Sequence, residues 1–176
     1  MHVRLTGAAG IAALSLLAAC GDRNADKADA AAPAAGAEVA PATATLSPAE
    51  EQEARSITVQ LLNRVGEELA RDNYQAVPGM ADHDAPLAQG GTGDWTVNLR
   101  GGQAYRLVGV CHFGCTNLDM ELRDASGAVV ASDVLEDDVP VVEFTPSADG
   151  TYTARLIMVV CEKPACLASA RAFQRG

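Results

Sequence analysis

The residues with the most chemistry to offer are cysteines. "VGVCHFGCTNLD" brings Cys111, His112 and Cys115 together, and "CEKPAC" brings Cys161 close to Cys166. Three chemistries compete for them. Four thiolates, with His112 as a possible fifth ligand, are a zinc donor set, although the spacings resemble zinc-ligand spacing only loosely. A Cys beside a His can also form a nucleophile–base pair. Neighbours in a strand point to opposite faces, however, so Cys111 and His112 should diverge, leaving His112 on the surface of a loop. The third possibility is a set of disulfides. The compartment decides among the three, and the N-terminus carries the information on compartment.

The chain begins "MHVRLTGAAGIAALSLLAACGDRNADKADA". A short basic start, His2 and Arg4, precedes an apolar run from Leu5 to Ala19. That is the layout of an export signal, and it falls short of the roughly 20 apolar residues of a membrane span. The run ends in "LAAC", Leu17 to Cys20, which resembles a bacterial lipobox. The resemblance implies cleavage after residue 19 and acylation of Cys20. Each buried methylene of an acyl chain contributes about 0.8 kcal/mol, and stable anchoring takes more than one chain. Gly21 rather than an Asp follows the Cys, which points to the outer membrane rather than retention in the inner one.

The formal charge is −10, and loss of Arg4 with the signal makes the remainder more acidic still. Without a Lys/Arg cluster there is no electrostatic footprint for nucleic acid and no polybasic hold on anionic lipid. Residues 20–47 are rich in Ala, Pro and charge, with almost no large apolar side chain. Such a segment cannot offset its ordering entropy and reads as a tether.

The elements that must position the cysteines follow. Residues 48–73 predict an amphipathic helix, with Ser47 as N-cap, Pro48 in the first turn and Glu50 completing a capping box. Ala54, Ile57, Leu61, Leu62, Val65 and Leu69 recur at helical spacing. Ile57, Leu61, Val65 and Leu69 make a stripe that would pack on the following domain, self-associate or engage a partner.

From about residue 90 the period falls to two. Trp95, Val97 and Leu99 share a face, as do Leu118, Met120 and Leu122, and as do Tyr152, Ala154, Leu156 and Met158. "RGGQ", "DASG" and "SADG" supply turns. About seven short strands at this spacing predict a mainly β domain over 90–176, an antiparallel sandwich of jelly-roll or immunoglobulin-like type. Gly150 and Tyr152 in "SADGTY" suggest a tyrosine corner, with the hydroxyl returning to upstream backbone.

The segment from Gly91 onward resembles the bacterial pre-peptidase C-terminal domains, small extracellular β-sandwiches. The matching residues are Leu99, Gly102 and Tyr105 in L-x-x-G-x-x-Y, "NLDMELRDASG" from Asn117 to Gly127, and "FTPSADGTY" from Phe144 to Tyr152. Asn117 and Met120 depart from the usual D-L-D-L form, and the cysteine loops look like a disulfide-bearing branch. The resemblance implies a role in stability, targeting or substrate contact beside secreted proteases. No protease domain accompanies it here. Several related domains bind calcium, which needs six to eight oxygens. Asp119, Asp133, Asp137 and Asp138, with Glu136, are the candidates, and the alternative is a solvated acidic loop.

With Cys20 acylated, four cysteines remain, and an even number in an exported chain reads as a disulfide framework. Three pairings are open. Loop entropy favours a cross pair closing some fifty residues, about 4 kcal/mol against about 2 for each local loop. Proximity in sequence favours Cys111–Cys115 and Cys161–Cys166, and that pairing is expected. The expected protein is a lipid-anchored, non-catalytic envelope module facing the periplasm or exterior, presenting its sandwich to a protein or glycan. The alternatives are a calcium-dependent ligand or glycan binder and an accessory partner of an envelope complex or secreted protease. No cofactor is required, with calcium the one candidate.

Overall fold

The computed structural model describes residues 45–112 and 114–176. The expected export signal, Cys20 and most of the expected tether lie outside the described residues. The described residues form nine strands and one helix, two strands more than the periodicity suggested.

Helix α1 spans Pro48–Ala70. Its capping box is formed: the Ser47 side chain accepts from the Glu50 backbone N–H, and the Glu50 carboxylate accepts from the Ser47 N–H at 2.9 Å. The Ser47 hydroxyl holds the Glu50 carboxyl below its ordinary range. The helix stops three residues before the expected boundary. Asn73 adopts φ 69°, a left-handed conformation that Asn tolerates better than most side chains, and β1 (Tyr74–Ala76) starts at the next residue.

The strands β2 (His83–Leu87), β3 (Thr92–Leu99), β4 (Tyr105–His112), β5 (Cys115–Arg123), β6 (Val129–Asp133), β7 (Val141–Phe144), β8 (Gly150–Cys161) and β9 (Cys166–Arg175) complete two sheets. One has the order β1-β9-β4-β7, with β2 also paired to β9; the other has the order β3-β8-β5-β6. All pairings are antiparallel. The result is a mainly β sandwich, as expected from the sequence.

The inward positions of both sheets interdigitate. Trp95, Val97, Leu107, Leu118, Met120 and Leu156 lie in one cluster with Ala168, Ala170 and Ala172. The alanines of β9 keep that strand's inner face thin, which lets the sheets close. The outer face of the first sheet is also dry. Val108, Val110 and Phe173 meet Leu62, Leu69 and Tyr74 in a second cluster, so β4 and β9 are buried on both sides. This settles the place of the predicted stripe. Leu69 is buried and Ile57, Leu61 and Val65 are half-buried; Leu61, Leu69 and Val65 pack in this cluster. Two polar ties reinforce the seat. Ser169 donates to Asp84 and lies 2.8 Å from Thr58 Oγ1, while Arg55 pairs with Asp84 and Glu51. Arg171 grips Asp82 through two nitrogens and donates to Asn63 at 2.9 Å.

Candidate binding cleft

Each cysteine pair is a disulfide in the structure, Cys111–Cys115 and Cys161–Cys166. Their placement explains why they exist. Cys111 ends in one sheet and Cys115 begins in the other; Cys161 and Cys166 make the reverse crossing. Each bond therefore closes a corner where the chain changes sheets, and Cys115 faces Cys161 across the β5–β8 ladder, so both staples lock the same end. All four sulfur-bearing residues are buried. Among the described residues no group of three His, Cys, Asp or Glu could hold a metal. Cys111 belongs to the core between the sheets, whereas the next residue, His112, is only half-buried.

The acidic residues serve the loop they occupy. Asp133 accepts from the N–H of Val141 at 2.8 Å and of Leu135 at 3.3 Å, and Asp137 accepts from Val139 at 3.0 Å. Asp119 stands on β5 with its carboxyl raised, first by partial burial and then by the nearby Asp133, Glu121 and Asp137. Asp138 is exposed.

The expected tyrosine corner lies at a different tyrosine. Tyr152 stands edge-on to Phe144 with ring centroids 5.2 Å apart, and a side chain at Gly150 would press on its ring. The returning hydroxyl belongs to Tyr105, which accepts the N–H of Arg100 at 3.0 Å. Tyr105 is also the tyrosine of the L-x-x-G-x-x-Y motif, so the motif has a direct structural reading: it ties the β3–β4 turn to the core.

That tie shapes a cleft of about 830 Å³. Along β3 the free edge meets β2 at Gly93, where an added Cβ would sit 2.7 Å from Ala85. Beyond that contact the chain before β2 swings away as the loop 77–82, and the edge from Thr96 to Arg100 opens into the space between. Val77, Met80, Trp95 and Tyr105 give the cleft apolar walls, and Asn98, Arg100, Asp149 and Thr151 give it hydrogen-bonding ones. The walls are fixed in advance. Arg171 holds Asp82, the Val77 N–H donates to Ala172 at 3.0 Å, Asp149 accepts from Gly101 at 2.8 Å, and Thr151 donates to Asn98 at 2.8 Å. Behind the cleft His83 stacks parallel to Trp95, and burial lowers its pKa against the pull of Asp84 and Asp94. A preformed concavity with a few convergent polar groups is the ordinary form of a binding site.

Of the residues singled out in the sequence, Trp95, Leu99, Tyr105 and Gly150 line this cleft. Sequence reasoning missed Met80, Asn98, Arg100 and Asp149. Asn98 and Arg100 were legible only as outward positions of a strand and its turn. That they face a space depends on a loop some twenty residues earlier in the chain.

No protein-family model matches the chain, and no curated protein matches it. Among solved structures the fold is similar to that of Aeromonas hydrophila PliG, a periplasmic lysozyme inhibitor of g-type lysozyme. The TM-score is 0.42 and the identity 12%, over 57% of this chain and 92% of that one.

Proposed function

We propose that this chain is a lipid-anchored, non-catalytic binding module of the cell envelope, tethered through acylated Cys20 and presenting its sandwich to a protein or glycan. Two disulfides fit an extracytoplasmic location. Among the described residues the four cysteines are oxidised in pairs, and Ser169 lies buried under α1 between Asp84 and Thr58. The position of Tyr105 within its motif supports grouping the sandwich with the pre-peptidase C-terminal domains.

The observation that carries the binding reading is the cleft beside β3, with its braced walls and mixed lining. Trp95 is the only tryptophan in the chain and lies in that wall, so its emission reports on occupancy. Titration with soluble envelope proteins and with peptidoglycan fragments should give a saturable change in Trp95 fluorescence for one of the two classes. The change should be lost in Asn98→Ala and Arg100→Ala. If neither class moves the emission, the cleft is not the site. The anchor has its own test, the intact mass of the membrane-extracted protein, which should equal a chain beginning at Cys20 plus its acyl groups.

A further inference from the structure

Among the described residues the two large apolar side chains most exposed to water are neighbours, Val134 at 61% and Leu135 at 65%. They sit on the loop between β6 and β7, which closes the sandwich edge opposite the cleft. An exposed aliphatic pair on a mobile loop would mean little, but this loop is braced along its length. The Asp133 carboxylate grips the N–H groups of Leu135 and Val141, one on each side. The Asp137 N–H donates to the Leu135 carbonyl at 2.8 Å, and the Asp137 carbonyl accepts from Leu118 on β5 at 2.9 Å. Pro140 is buried over Gly109, whose N–H donates to its carbonyl at 2.9 Å. Two apolar side chains are thus held in water by bonds that fix their position, a preorganisation that lowers the entropy lost on docking.

The charge around them is one-sided. Residues 124–154 contain seven carboxylates and no Lys, Arg or His. Glu136 and Asp138, both exposed, follow the apolar tip along the loop. Anionic lipid would repel such a collar, and carrying those carboxylates into a bilayer beside Leu135 is costly. A second copy would bring like charges together. What fits is the complement: an apolar slot with a cationic rim.

We propose that the β6–β7 loop is a preformed docking finger, with Val134 and Leu135 entering an apolar slot on a basic partner protein while Glu136 and Asp138 face Lys or Arg on its rim.

The test uses the full-length chain in the cells that make it, with a photocrosslinking amino acid at Leu135 and a control at Gln52 on α1. One protein species should crosslink from position 135 and not from position 52. With that protein purified, Leu135→Ser should weaken binding tenfold or more without shifting Tm. Glu136→Gln together with Asp138→Asn should slow association and flatten its salt dependence. A crosslink to lipid, to a second copy or to no protein would overturn the proposal. So would a captured partner whose affinity ignores Leu135→Ser, or one that binds equally well without the two charges. A crosslinker at Asn98 probes the cleft separately, so the failure of one surface leaves the other standing.

Discussion

The two sheets use their outer faces in opposite ways. The face of the β1-β9-β4-β7 sheet is covered by α1, with Val108, Val110 and Phe173 under Leu62 and Leu69 and the Thr58–Ser169–Asp84 tie beside them. The face of the β3-β8-β5-β6 sheet stays in water. It carries a ladder of Asp94 with Arg155, Glu121 with Arg123 and Asn98 with Thr151. A strand covered on both sides loses the alternation of apolar and polar residues over the covered stretch, and one covered on a single side keeps it. "YRLVGVCH" in β4 and "NLDMELR" in β5 follow that rule. The loss of alternation in β4 is the trace of the helix lying over it.

The most damaging way to test this contrast is to hollow the covered face. Leu62 is fully buried between α1 and the sheet. Leu62→Ala should cost about 2–5 kcal/mol, combining the lost transfer energy with that of an unfilled cavity. Urea denaturation measures it. A loss under about 1 kcal/mol would mean that α1 contributes little to holding the domain together. Next comes the polar tie. Ser169→Ala leaves Asp84 with Arg55 but takes away its buried donor, and leaves Thr58 short of a partner. The expected cost is about 1–3 kcal/mol, that of losing a buried hydrogen bond to a charged group.

The seat of the helix was readable in the sequence, whereas this tie was not. Helical spacing from Ala54 to Leu69, the Ser47 cap and the alternation in β3, β5 and β8 all announced themselves, because each rests on neighbours a few residues apart. Ser169 meets Thr58 across 111 residues and Asp84 across 85. Nothing local marks either encounter. The strand β2 was hidden for another reason: "HDAPL" is short, polar at its start and interrupted by Pro86. Proline is tolerated there because β2 lies at the edge of its sheet, hydrogen-bonded to β9 alone. With β2 unseen, the wall of the cleft and the loop 77–82 were unseen too. The corner was assigned to Tyr152 instead of Tyr105 because both tyrosines follow a glycine turn. Only the folded turn shows which hydroxyl reaches backbone. The cysteine couples were legible as staples from their number and compartment, but their service to the two sheet-changing corners needed the strand order.

On the open face the effects should be smaller and should depend on pH. The Asp119 carboxyl is raised in the folded protein, by partial burial first and by Asp133, Glu121 and Asp137 after it. The folded state therefore binds this proton more tightly than the unfolded chain does. The stability linked to it is fully present below the ordinary carboxylate range and is lost as pH rises through the folded value. Asp119→Asn should accordingly be more stable than the parent at neutral pH, and the gap should close in acid. Parallel melting curves across that window check the sign. A variant less stable at neutral pH would show that Asp119 is satisfied by a cation or a donor. Repeating the melt with added calcium would separate the two, since only a cation site would raise the parent's Tm and leave the variant's unchanged.

The smallest effect belongs to the best-formed ion pair on that face. Arg155 meets Asp94 through two nitrogens at 2.7 and 2.8 Å, and this hydrogen bonding holds the Asp94 carboxyl below its ordinary range. Good geometry does not make the pair stabilising. Both groups stand largely in water, where the attraction is screened over a Debye length of about 8 Å at physiological salt and offset by the entropy of fixing two long side chains. Arg155→Gln should therefore leave the denaturation midpoint where it was. NMR titration should still show the Asp94 carboxyl moving up toward the ordinary range, since its hydrogen-bonded partner is gone. The two readouts together decide what this face is. A change in titration without a change in stability is the behaviour of a sheet surface open to solvent. A loss comparable to that of Ser169→Ala would mean that the second sheet, like the first, has something lying over it.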